Sequence, residues 1–180
     1  LWIVSWIPKK TRHWSIPAGI AIILILLLIP TTSEPILNKV LLQDYSGGIR
    51  LTQWSETLEL LKDKPMFGAG LSGYPTAVES YHQNEHIEIF QYPHNIFLNT
   101  WVEIGLIGLV GLFALVIESI LRARTGYKRH RKNRWIVLGC LVALLITFVH
   151  GLVDVPYFKN DLAVMTWSIF AILASTNKKL

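Results

Sequence analysis

The sequence predicts an all-α polytopic membrane protein of about four transmembrane helices with one large outward-facing loop. Three observations carry this. Hydrophobic residues make up 52% of the 180 and mean hydropathy is +0.41, the composition of a bilayer-embedded chain rather than of a soluble core. Apolar runs recur at 14–29, 95–121, 135–150 and 162–174. Lys and Arg gather in clusters at 9–12, 122–134 and 178–179, which together hold twelve of the 17. Four spans alternate so that all three clusters fall on the cytoplasmic side. The net charge of +5 is therefore topogenic, and nucleic acid is not an expected partner.

Taken in order, residues 1–30 are a basic segment and a first span. Lys9, Lys10, Arg12 and His13 precede Trp14–Ile29, which ends at Pro30. A signal peptide is the rival reading of that stretch. The apolar residues ahead of the lysines and the lack of an Ala-x-Ala site favour a span. The chain opens on Leu1 inside an apolar stretch, so it reads as the C-terminal portion of a larger protein. Residues 31–94 form the long loop, with a net charge of about −4 opposite to the inner face. Within it Leu51, Trp54, Leu58 and Leu61 recur at helical spacing with Gln53, Glu56 and Glu59 between them. This predicts an amphipathic helix over 50–62, stopped by Pro65. Arg50 would sit in its first turn, where the helix dipole disfavours a cation, so an anionic ligand or a loop carboxylate is the expected partner.

Residues 95–121 are the next span. Pro93 blocks helix upstream and Asn95 is a good N-cap, which puts His94 at a helix N-terminus on the membrane surface. There an imidazole can exchange protons with a substrate. Glu103 lies eight residues in, roughly 12 Å along the axis, and a carboxylate within a membrane marks a partner or an aqueous cavity. Gly105, Gly108 and Gly111 permit close approach of another helix. Seven basic residues without an acid fill the cytoplasmic loop 122–134. Residues 135–150 are a third span, 151–161 a short outward loop, and 162–180 the last span and tail. Cys140 is the one cysteine, so no internal disulfide exists. The outer end of the last two spans carries His150, Asp154, Lys159 and Asp161. Either aspartate could pair with Lys159, or the group could form a pocket wall near His94.

Two motifs are read down. Gly68-Ala69-Gly70-Leu71-Ser72-Gly73 fits G-x-G-x-x-G but has no strand before it or βαβ setting, so it is a turn returning the chain to the membrane. His82-Gln83-Asn84-Glu85-His86 fits an inverted zinc-peptidase pattern. Its polar setting offers no rigid helix or third ligand, and a solvated loop is expected. A zinc hydrolase using His82, Glu85 and His86 stays as the alternative enzyme, and a transporter or scaffold domain as the non-enzymatic one.

Three blocks taken together resemble the O-antigen ligase and O-antigen polymerase superfamily over roughly residues 45–165. They are Arg50 and Trp54 with Pro65, Gly68, Gly70 and Tyr74; Pro93-His94-Asn95 through Glu103, Gly105, Gly108 and Leu109; and His150-Gly151-Leu152-Val153-Asp154. The resemblance implies a glycosyltransferase of the bacterial inner membrane, active on the outward face, inverting, metal-independent and without a cofactor. Its implied partners are a polyprenyl-diphosphate-linked glycan, a glycan, lipid or protein acceptor, and the bilayer. It implies His94 as general base or as the residue that orients the acceptor hydroxyl, and Arg50 as the diphosphate contact, with Tyr92, Asn95, Glu103, His150 and Asp154 lining the substrate site. Further functional arginines of the family have no counterpart in this chain, which is expected to be inactive alone.

Overall fold

The computed structural model describes residues 17–19, 21, 24, 25, 28–84, 86–129, 134–158 and 160–175. The first basic cluster with Trp14, most of the run to Ile29, Glu85, Lys159 and the closing lysines lie outside the described residues. Every described element is helical. The chain divides into Leu1–Gly48 and Ile49–Leu180.

In the first unit, α1 covers Pro30–Val40. Pro30 opens this helix, whereas the sequence reading used it only to end a span. The first helical position tolerates proline because its missing N–H has no intrahelical partner there. Helix α2, Tyr45–Asp63, starts five residues earlier than expected and takes in the Gly47-Gly48 pair. Asp44 Oδ1 caps it by accepting the Gly47 N–H at 2.9 Å.

In the second unit α2 keeps only part of the expected stripe inside, with Leu61 buried and Trp54 half-buried. Gln53, Glu56 and Thr57 are buried beside Leu60 and Leu61, while Leu51 and Leu58 are 49% and 44% exposed. Polar residues go inside because partners meet them there. Thr57 shares a hydrogen bond with Tyr74 Oη at 3.0 Å, and Glu56 is engaged by His82. A short helix, α3 (Tyr74–Val78), runs into a tighter turn at Glu79–Tyr81. Leu60, Leu61, Tyr74, Val78 and Val102 form one core cluster.

Helix α4, Ile96–Arg129, is broken at Gly105, whose φ of 72° and ψ of −176° are open essentially to glycine alone. The backbone groups freed by the break are taken up by the Gly68–Gly73 turn and the residues before it. Ala69 and Gly70 donate to the Val102 carbonyl at 2.7 and 3.2 Å, and Leu106 donates to Met66 O at 3.1 Å. Trp101 Nε1 donates to Pro65 O at 2.6 Å. A Cβ on Gly68 would stand 2.1 Å from Val102 O, and one on Gly105 2.0 Å from Met66 O. In the G-x-G-x-x-G motif Gly68 and Gly73 thus serve close backbone contact, and Gly70 supplies a φ of +82°.

Beyond the break α4 packs on α5 (Arg134–His150) and α6 (Asn160–Ser175). Ala123, Val137, Cys140, Leu144, Phe170 and Leu173 form their core. Among the described residues one helix, Ile96–Lys128, is long and apolar enough to cross a membrane, while α5 and α6 are shorter apolar helices. At 17 and 16 residues they reach about 25 Å, just under a hydrocarbon core of roughly 30 Å.

Candidate active site around His94

His94 is the last residue before the cap of α4, and its φ of 47° lies in the left-handed region that side chains other than glycine rarely enter. Such a conformation costs on the order of 1–3 kcal/mol and persists only where neighbours over-determine it. On one side, Trp54 Nε1 of α2 donates to the Pro93 carbonyl at 2.8 Å. On the other, Asn95 Oδ1 accepts the N–H groups of Phe97 and Leu98 at 3.0 and 3.1 Å, the expected cap.

The decisive element is the turn after α5. Four consecutive residues each bind a distant part of the chain. Gly151 O accepts the Ile96 N–H at 2.7 Å, and Leu152 O accepts Asn95 Nδ2 at 2.9 Å. Val153 O accepts Arg50 Nε at 3.0 Å, and Asp154 Oδ1 meets His94 Nδ1 at 3.3 Å. His150 Nε2 lies 3.7 Å from Asp154 Oδ2. One short turn therefore brings together Arg50, His94, Asn95, His150 and Asp154.

The electrostatics define the state of the site. Burial alone would raise the Asp154 carboxyl, but the Val155 amide, the His94 hydrogen bond and the two histidine charges outweigh it and hold its pKa below the usual carboxylate value. Ionised Asp154 can only accept, so His94 Nδ1 is the donor of their hydrogen bond. The His94 side chain is 23% exposed, so the ring is within reach of a ligand. Phe90 and Tyr92 wall the imidazole, with ring centroids at 5.3 and 4.7 Å. Burial, and then the Asp154 charge, raise the Tyr92 hydroxyl above its ordinary value.

Arg50 sits in the second turn of α2 and not the first, and its protein partner is the Val153 carbonyl, not the loop carboxylate that was one of its two expected partners. With Nε so used, the guanidinium's terminal N–H groups have no protein hydrogen bond among the described residues. Glu103 also differs. It is not deep in a continuous span but two residues ahead of the break, where Ser72 N–H reaches Oε1 at 3.4 Å and Asn99 Nδ2 reaches Oε2 at 3.3 Å. Buried Asn99 also donates to Tyr157 Oη at 3.1 Å, so Glu103 belongs to a neighbouring polar cluster and makes no bond to His94. Asp154 is engaged by histidines, while its suggested partner Lys159 lies outside the described residues.

The His82–His86 segment is not simply solvated. His82 Nδ1 lies 3.1 Å from Glu56 Oε2, and Nε2 lies 2.8 Å from Ile87 O. Both ring nitrogens are spent, so His82 presents no lone pair to a metal. Two positioning residues escaped the sequence reading. Trp54 falls at the spacing of an apolar stripe, which points to packing. Buried Asn99 gave no signal beyond its place one turn into the helix.

A family model described as O-antigen ligase matches residues 1–113. An uncharacterized protein of Haemophilus influenzae is 32% identical over 79 residues, 42% of this chain and 20% of that protein. The match thus spans about a fifth of that relative's length.

Proposed function

The chain belongs to the O-antigen ligase family, and from that premise we propose that it forms part of a membrane enzyme that transfers or polymerises polyprenyl-diphosphate-linked glycan on the outward face of the bacterial inner membrane. The observation that carries this is the Gly151–Asp154 turn, which holds Arg50 and His94 on adjacent residues. The family match and the separate geometry of the three sequence blocks support the same assignment.

In this reading the terminal nitrogens of Arg50 receive the donor diphosphate, to which a planar guanidinium offers paired, charge-assisted hydrogen bonds. His94 Nε2 accepts the proton of the acceptor hydroxyl as its oxygen bonds to the anomeric carbon. The bond from that carbon to the diphosphate oxygen breaks, its electron pair leaves with the diphosphate, and the configuration inverts. Asp154 fixes the tautomer of His94 and stabilises the imidazolium that forms. Arginine charge on the departing diphosphate supplies electrostatic stabilisation, so the proposal is metal-independent. Tyr92 and Asn95 shape the floor, and His150 and Glu103 border the acceptor side. An apolar groove of about 290 Å³ begins at Ile96 and runs between α4 and α6 past Tyr157 and Trp167, a surface suited to a polyprenyl chain. The spans at 14–29, 135–150 and 162–174 and the cytoplasmic loop 122–134 complete the proposed topology.

The test uses the protein carrying this chain, purified from bacterial membranes, with a polyprenyl-diphosphate glycan and candidate acceptors. Transfer should survive EDTA and fall by about 10²–10⁴-fold in His94→Ala, the usual contribution of a general base. Undiminished transfer by His94→Ala, or transfer that requires added zinc, would overturn the assignment.

A further inference from the structure

The C-terminal end of α4 carries a second polar feature, at the opposite end of the helix from His94. Leu121, Arg124, Thr125 and Lys128 line a recess of about 510 Å³. Arg124 and Lys128 are exposed and stand one turn apart. Neither forms an ion pair among the described residues, whereas their neighbour Arg122 is spent on Glu118 at 2.6 Å. Arg134 is likewise occupied, its Nε donating to Tyr127 O at 3.0 Å and its guanidinium lying over the Tyr127 ring.

The same helix face continues upward as an exposed apolar stripe. Val110, Phe113, Ile117 and Leu121 are 47–60% exposed. At 100° per residue they fall with Arg124 and Lys128 inside an arc of about 80°. A stripe of that length ending in two free cations matches a molecule with an acyl chain and a phosphate at one end. We propose that this face binds an anionic phospholipid of the surrounding bilayer, its phosphate held by Arg124 and Lys128 beside Thr125, whose hydroxyl donates to Leu121 O at 3.0 Å, and one acyl chain lying along Val110, Phe113, Ile117 and Leu121. Each basic residue near an anionic headgroup contributes on the order of a fivefold preference, so two give at least roughly tenfold over a zwitterionic lipid. The proposal rests on reading α4 as a membrane helix, and on nothing else in the proposed enzyme function.

The experiment is native mass spectrometry of the full chain released from nanodiscs of equal phosphatidylglycerol and phosphatidylethanolamine. Wild type should retain phosphatidylglycerol adducts about tenfold over phosphatidylethanolamine. Arg124→Gln with Lys128→Gln should abolish that preference. Thr125→Glu should do so too without touching the basic residues that orient the helix, which guards against a misinserted double variant. Arg124→Lys with Lys128→Arg should keep it. Equal adducts for both lipids, or a preference unchanged in the double variant and in Thr125→Glu, would overturn the site. So would complete displacement by millimolar inorganic phosphate, which would make free phosphate the ligand, or release as a dimer carrying no lipid, which would put a second copy on the stripe. Failure to enter the disc would overturn the membrane reading itself and be visible before any lipid is counted.

Discussion

Replacing Gly105 by alanine tests the broken helix directly. Its φ of 72° with ψ near −176° is a region that a β-carbon makes costly, on the order of 1–3 kcal/mol. The added carbon would also stand 2.0 Å from the Met66 carbonyl, backbone that cannot rotate away. The Met66–Gly70 segment must withdraw, giving up the Leu106–Met66 bond and loosening the two donated to Val102, at about 0.5–1.5 kcal/mol each. Together these give roughly 3–5 kcal/mol, or about 10 °C at the 2–4 °C per kcal/mol expected of a chain this size. The assay is thermal unfolding in detergent, with limited proteolysis at residues 64–73. Gly139→Ala in α5 is the control, because a Cβ there meets nothing within 4 Å and alanine favours helix. If Gly105→Ala melts with wild type and its loop resists protease equally, the account of the break is refuted.

Four further outcomes are expected. Asp154→Asn should lower kcat about ten- to a hundredfold with little change in KM, because an Asp–His charge contact half open to water is worth about 1–3 kcal/mol; an effect confined to KM would contradict a positioning role. Asp154 has a lowered pKa, so its contribution to stability is present above the ordinary carboxylate value and lost as pH falls through the lowered one; Asp154→Asn should flatten that acid limb in a pH series of melting temperatures. His82 has a raised pKa, chiefly through its hydrogen bond to Glu56. Its contribution is therefore full below the ordinary imidazole value and lost as pH rises through the raised one, so the amide protection of residues 82–90, after correction for intrinsic exchange, should fall above neutral pH in wild type and show no such fall in Glu56→Gln. Trp54→Phe should cost about 1 kcal/mol through the lost bond to Pro93 O and reduce kcat severalfold; unchanged turnover would show that His94 holds its backbone without that bond.

Much of the site was legible because its parts obey local rules. Asn95 capped the helix as its side-chain chemistry required, and Pro93 ended the chain before it. The three blocks carrying Arg50, His94 and Asp154 are each visible, and a pocket wall near His94 is one of the two readings of the His150–Asp154 group, but the contacts that join them are not, since they depend on carbonyls of residues 151–153 that any side chain could have supplied. The helix break escaped for a similar reason. Gly105 inside an apolar run reads as helix packing, and only the docked Met66–Gly70 backbone makes an unwound turn affordable. The burial of α2 was misread because periodicity weighs leucines against glutamates, while His82 and Tyr74, far along the chain, decide which face goes inside.

The contact between Val102 and the Ala69–Gly70 amides also sets an order of assembly. Residues 69 and 70 leave the ribosome more than thirty residues before their acceptor exists, and until it arrives those amides have only water to bind. The turn can settle only after the Ile96–Ile104 piece has formed beside it. That piece in turn reaches its final position when Gly151 supplies the carbonyl for Ile96, after α5 is complete. The His94 end of α4 is thus completed from the C-terminal side, and a ribosome stalled before residue 151 would leave both the start of α4 and His94 unplaced.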